Sequence, residues 1–124
     1  MVPAWANVSR ETLGQLEAYA QLLTKWNKAI NLVAPSTLDE LWTRHIWDSY
    51  QLLALIPEGA AIADIGSGGG LPGLVTAIAR PDCPITLIER DQRKAAFLKQ
   101  VVMSLGLSHA SVVNDDIKNI QSRH

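Results

Sequence analysis

Cysteine is almost missing from this 124-residue chain: Cys83 stands alone, which rules out an intramolecular disulfide. With no CxxC pair and no Cys/His spacing suited to a metal, no metal site is expected, and Cys83 reads as a small packing residue ahead of a strand. Long apolar runs are missing too. None approaches the roughly 18 residues needed to span a bilayer, and the N-terminus lacks a basic stretch followed by a continuous apolar segment. A cytoplasmic protein without membrane contact is therefore expected. Charge of either sign is not in excess: the net value is −1, so the chain has no global attraction to polyanions. Any nucleic-acid contact must come from local patches or from a substrate already held in a larger assembly. Internal repeats and low-complexity tracts are also absent. What is present, 48% apolar and 19% charged residues, suffices for one domain with a real core, and a monomer is expected.

Ser9-Arg10-Glu11-Thr12 offers a helix cap, and Leu13, Leu16, Ala20, Leu23 and Ala29-Ile30 recur at helical spacing until Pro35. This predicts one long amphipathic helix. Ser36-Thr37-Leu38-Asp39-Glu40 reads as a second cap, with Leu41, Ile46, Tyr50 and Leu53-Ala54 on one face until Pro57-Glu58-Gly59. A helical layer over 1–58 thus precedes the first strand. From 59 to 124 the period changes: strands near 60–65, 84–89 and 110–114 alternate with helices near 72–79 and 91–105, the latter ended by Gly106. Alternation of this kind predicts an α/β fold with a parallel sheet and right-handed crossovers.

The stretch Asp64-Ile-Gly-Ser-Gly-Gly-Gly-Leu-Pro-Gly73, directly after the apolar Ala60–Ala63, reads as a strand delivering a carboxylate and a glycine-rich turn to a helix start. Glycine lets the backbone approach a ligand closely, Pro72 suits a first helical position, and free N–H groups there attract electron-rich atoms. Gly68-x-Gly70-x-x-Gly73 satisfies the dinucleotide pattern, with Glu89 about 20 residues on where a ribose-binding acid belongs. An NAD-dependent oxidoreductase is therefore one reading. Asp64 opposes it, because a carboxylate at the strand tip repels a pyrophosphate and attracts a cofactor carrying an ammonium and a sulfonium. S-adenosylmethionine carries both. Asp64, Glu89 and Asp115 or Asp116 all fall at the carboxyl ends of strands, the edge where open α/β sheets bind ligands.

These features are similar to those of class I S-adenosylmethionine-dependent methyltransferases. Asn7–Thr12, Lys25-Trp26-Asn27-Lys28-Ala29-Ile30-Asn31-Leu32, Arg44-His45-Ile46-Trp47-Asp48-Ser49, Gly66–Gly73 and Arg93–Leu98 more narrowly resemble the bacterial small-subunit ribosomal RNA guanine-N7 methyltransferase family, also called glucose-inhibited division protein B. The resemblance covers essentially the whole chain. It implies a Rossmann-like sheet behind an N-terminal helical layer, with S-adenosylmethionine as cofactor and 16S ribosomal RNA or the small ribosomal subunit as partner. Carried onto this sequence, Gly66, Gly68 and Gly70 would meet the methionine portion, Asp64 its ammonium, Glu89 the ribose, and Asp116, Ile117 and Lys118 the adenine, with Leu71 also among the cofactor-binding residues. The family's Arg-Ala-Glu-Glu-like segment reads Asp116-Ile117-Lys118-Asn119 here, which leaves mainly backbone contacts to the base. The family's chain also continues through further strands, so the C-terminal part of the sheet is expected to be absent and this stretch alone silent in catalysis. A non-catalytic RNA-associated fragment is the remaining alternative.

Methylation at guanine N7 needs no general base, since that nitrogen offers an in-plane lone pair and carries no proton. No catalytic acid or base is therefore assigned. His45 and Asp48, three apart, could face one another and the pocket, or His45 could cap a core layer. Asn27 and Asn31 are expected to fix the end of the long helix, and Trp5, Trp26, Trp42 and Trp47 favour core packing over base stacking. Arg90, Arg93, Lys94 and Lys99, with Lys25, Lys28 and Arg44, could be solvated faces or phosphate contacts.

Overall fold

A computed structural model describes residues 2–116, 118 and 119. Helix α1 (Arg10–Asn27) starts where Ser9 Oγ accepts the Thr12 N–H at 3.1 Å, and it buries Leu16, Tyr19, Ala20 and Leu23 along one stripe. It stops short of the expected run to Ile30. The buried Asn27 side chain is the reason: its Oδ1 accepts the N–H groups of Leu32 at 2.8 Å and Val33 at 3.0 Å, folding the following loop back on the helix end.

The expected second cap at Ser36 makes no side-chain capping bond. A 3₁₀ turn (Pro35–Glu40) leads instead into a π-helical turn (Leu41–Ile46), then α2 (Trp47–Gln51) and a 3₁₀ turn (Leu52–Leu55). Leu41 and Ile46 are five residues apart and both buried, and a π turn brings that spacing onto one face. Trp47 is buried among Trp5, Trp42 and Tyr50, with ring centroids 6.3, 5.7 and 5.4 Å away, while Trp26 lies edge-on to Phe97. Trp26, Trp42 and Trp47 therefore pack as expected, whereas Trp5 stays half exposed.

Three parallel strands follow, β1 (Ile62–Ile65), β2 (Ile85–Ile88) and β3 (Ala110–Val113), in that spatial order, with Ile65, Ile88 and Val113 in register. Helices α3 (Gly73–Ala79) and α4 (Gln92–Leu105) are the crossovers; Asp91 caps α4 and Gly106 closes it in the left-handed conformation. Pro72 occupies the cap of α3, after a cis Leu71–Pro72 bond, and not the first helical position expected for it. Ile62, Ile85, Leu87, Ala110 and Val112 point into the core, where α1 packs against both α3 and α4. On the other face Ala63, Ile65 and Ser111 are exposed, and among the described residues no strand pairs with the outer edge of β1.

Arg80 locks the helical layer to this sheet. Its guanidinium donates to the carbonyls of Leu53, Ile56 and Pro57 and to both oxygens of Asp82, which in turn accepts the Gly59 N–H at 2.8 Å.

Candidate functional site

Strand β1 runs out at Ile65 into a turn in which Gly66, Gly68 and Gly70 have φ of 71°, 53° and 86°, values that side chains with a Cβ rarely adopt. At Gly70 a second constraint applies, because a Cβ would collide with the Leu74 side chain. The turn's own N–H groups are largely occupied. Gly66 and Ser67 donate to the Ile88 carbonyl, Gly70 donates to Ser67, and Gly68 donates to Glu89 Oε1 at 2.8 Å. This corrects the expectation of free donors: a turn that has spent these N–H groups internally lacks the open nest that holds a pyrophosphate. The dinucleotide reading loses its physical basis.

Glu89, just past β2, is only 6% exposed, and both its oxygens are engaged, Oε1 by Gly68 and Oε2 by the Asp91 N–H at 2.8 Å. It therefore braces the turn against the start of α4. Each oxygen keeps a second lone-pair direction, so acceptance from a ligand hydroxyl stays open to it. Asp64 sits beneath the turn and not at its rim. Its Oδ2 is buried without a hydrogen-bond partner and lies against Gly73. Burial pushes this carboxyl above its ordinary range; the neighbouring Ser67 and Gly73 backbone oppose the rise, and Glu89 adds to it. An orphaned acidic oxygen of this kind is suited to a cation that approaches through the turn.

A cavity of about 360 Å³ opens over the carboxyl edge, lined by Ile65, Gly66, Ile88, Glu89, Arg90, Asp115, Asp116 and Lys118. Of the expected site residues, Gly66, Glu89, Asp116 and Lys118 thus share one space. Gly68 joins it indirectly through Glu89, Gly70 is buried against Leu74, Leu71 packs half-buried against the core, and Ile117 lies outside the described residues. Asp116 Oδ1 accepts the Lys118 N–H at 2.9 Å, which curls the segment after β3. His45 bonds Thr37 Oγ1 at 3.0 Å while Asp48 is exposed, so His45 is tied to the helical layer. Asn27, as described, holds its loop. Among the described residues no group of three or more His, Cys, Asp or Glu is placed to hold a metal ion, and no helix is long and apolar enough to cross a membrane.

Two participants escaped the sequence reading. Asn114 Nδ2 donates to the carbonyls of Glu89 and Arg90, at 2.9 and 3.1 Å, tying the end of β3 to the loop after β2. Tyr19 donates from α1 to the Gly69 carbonyl at 2.5 Å. Its place in the Leu16–Leu23 stripe was a usable signal, since a buried tyrosine hydroxyl needs a partner.

A strand carrying an acid with one enclosed oxygen, a glycine turn braced by a second acid, and a parallel neighbour carrying that second acid define the opening half of a class I methyltransferase sheet. The chain belongs to the GidB family, described as rRNA small subunit methyltransferase G, whose family model matches residues 12–124. Relatives named ribosomal RNA small subunit methyltransferase G are similar along most of it. That of Gluconobacter oxydans (strain 621H) is 59% identical over 93 residues, 75% of this chain and 48% of the relative. That of Paracoccus denitrificans (strain Pd 1222) is 51% identical over 108 residues, 86% and 55% respectively. That of Nitrobacter hamburgensis (strain DSM 10229 / NCIMB 13809 / X14) is 48% identical over 122 residues, 94% and 47%. The chain spans about half the length of these curated relatives.

Proposed function

We propose that this chain supplies the cofactor-binding half of an S-adenosylmethionine-dependent methyltransferase that modifies N7 of a guanine in small-subunit ribosomal RNA. One observation carries the reading: Asp64 and Glu89 flank a turn whose N–H groups are largely spent, which makes the ligand edge acidic and suits a cofactor bearing positive charge. Glu89 would accept from the ribose hydroxyls, the turn at Gly66, Gly68, Gly70 and Leu71 would carry the methionine portion, and Asp64 would compensate its ammonium directly or through water. Asp116, Ile117 and Lys118 would border the adenine. When bound, the cofactor presents an electrophilic methyl group to the base. The guanine nitrogen already has its lone pair in the ring plane, so the protein's task is alignment and exclusion of water, an effect worth about 7–11 kcal/mol at best. No acid or base is required of this chain.

The guanine must reach the pocket unstacked. Exposed Arg90, Arg93 and Lys99 on and before α4 could hold RNA phosphates, which position a substrate without reading its sequence. The two stretches 1–58 and 59–124 act as one domain, monomeric and cytoplasmic. The uncovered edge of β1 and its exposed neighbours Ala63 and Ile65 are where further strands of the sheet would add.

Calorimetric titration with S-adenosylmethionine tests the cofactor assignment. Glu89→Ala should weaken binding by about 1–3 kcal/mol through its charge-assisted bonds. Unchanged affinity in both Glu89→Ala and Asp64→Ala refutes it. In a longer form that carries the family's further strands, labelled methyl transfer should be more efficient on intact small ribosomal subunits than on short naked RNA, because a near-neutral chain cannot hold RNA by charge alone. Equal transfer to both substrates counts against recognition of ribosomal architecture.

A further inference from the structure

Among the described residues the N-terminal helical layer makes one hydrogen bond to the glycine turn. Tyr19 lies on α1, is fully buried, and sends its hydroxyl to the carbonyl of Gly69, 50 residues further along the chain. The same glycine is walled in on two more sides: a Cβ there would sit 3.3 Å from the Leu32 carbonyl oxygen and 3.4 Å from Leu23 Cδ1. Leu32 is itself held by Asn27 at the end of α1. So α1 and its trailing loop form a three-sided seat for the middle peptide of the turn, and Tyr19 supplies the seat's directional contact.

We propose that Tyr19 is a positioning residue: by orienting the Gly69 peptide it sets the shape of the 66–70 turn on which the cofactor rests. The inference rests on the cofactor reading above and extends it to a residue in the helical layer that touches no ligand. Several observations agree. Gly69 is buried, so its carbonyl would lose its hydroxyl partner where water does not replace it readily. Gly70, the next residue, bonds back to Ser67, so a rotation at Gly69 is transmitted to the stretch that ends on Gly68 and Glu89. Burial, with the nearby Asp64 carboxyl adding to it, raises the phenol far above its ordinary value, so the hydroxyl keeps its proton at neutral pH.

Tyr19→Phe keeps the ring against Phe97 and removes only the donor. Leu16→Val, on the same buried stripe of α1, is the control for a general loss of stability. With the intact protein held well below both melting points, Tyr19→Phe should raise the Kd for S-adenosylmethionine about fivefold, the equivalent of one hydrogen bond, while Leu16→Val changes it less than twofold. An unchanged Kd in Tyr19→Phe, or an equal rise in Leu16→Val, overturns the proposal. Failure of the unsubstituted protein to bind S-adenosylmethionine overturns the cofactor reading itself and this inference with it.

Should Tyr19→Phe not fold, 3-fluorotyrosine labelling gives the same decision. The chain has two tyrosines, and Tyr50, bonded to the Asn7 carbonyl, serves as the internal reference, assigned by Tyr50→Phe. Saturating S-adenosylmethionine should shift the Tyr19 fluorine resonance and leave that of Tyr50 in place. A Tyr19 resonance that does not move overturns the proposal.

Discussion

Two helical glycines should respond to alanine with opposite signs. Gly14 lies in the second turn of α1, exposed, with no atom within 4 Å of where a Cβ would stand. Gly14→Ala therefore adds helix propensity and removes backbone freedom from the unfolded chain, a gain of about 0.5–1 kcal/mol. Gly73 opens α3 directly above the sheet. A Cβ there would run into the buried Oδ2 of Asp64 and come within 2.5 Å of Leu87 Cδ2. Leu87 is fully buried and the Asp64 oxygen is enclosed, so both side chains must shift within packed surroundings. Overpacking of this kind costs about 1–3 kcal/mol and outweighs the smaller gain in propensity at a helix start. For a domain of this size 1 kcal/mol corresponds to about 4 °C in Tm. Thermal melts followed by far-UV circular dichroism should show Gly14→Ala melting about 2–4 °C higher and Gly73→Ala several degrees lower. In the double variant Asp64→Ala/Gly73→Ala part of the collision disappears, so the two changes should couple favourably by about 0.5 kcal/mol or more. A Gly73→Ala protein as stable as the parent, or shifts of the same sign at both glycines, would show that Asp64 does not lie against the start of α3.

Because Asp64 keeps its proton to higher pH in the folded protein than in the unfolded chain, it lowers stability as pH rises from the ordinary value of 3.8 through its raised one. Asp64→Asn should therefore raise Tm more at pH 7 than at pH 4; an equal increment at the two pH values would contradict the burial of this carboxyl. Asp82 works in the opposite direction, since Arg80 and then the Gly59 N–H hold its carboxyl below the usual range. Its contribution is present at neutral pH and is lost as pH falls below 3.8, so Asp82→Asn should flatten the acid limb of a Tm profile, and an unaltered limb refutes the contact. Arg80→Lys should lower Tm more than Arg44→Lys, because a lysine cannot span three carbonyls and a carboxylate, whereas Arg44, among the described residues, pairs with exposed Glu40. Equal shifts for the two lysine substitutions would remove Arg80 from the tie between layer and sheet.

The order of elements was legible in the sequence because each piece carries a local signature. Apolar periodicity marked α1 and α4, short β-rich runs marked the strands, and Gly66, Gly68 and Gly70 stood where the backbone needs positive φ. The acids at the strand ends were equally visible, since a parallel sheet places all such ends on one edge. Only the tertiary structure decided what those groups face. Asp64 was expected at the rim and lies under the turn; Glu89 was expected as a ribose acceptor, and the brace it makes between Gly68 and Asp91 was not foreseen; the turn's donors were expected open and are largely consumed. α1 ends at Asn27, and a 3₁₀ turn and a π turn stand where a capped helix was expected, because Asn27 captures backbone beyond the helix and Leu41 and Ile46 must both reach the core. Tyr19 to Gly69 and Arg80 to the 53–57 carbonyls join residues 23 to 50 positions apart. Local pattern reports which side chains prefer burial, but the partner a buried polar group finds depends on which distant segment packs beside it, and that is settled only when the chain closes on itself.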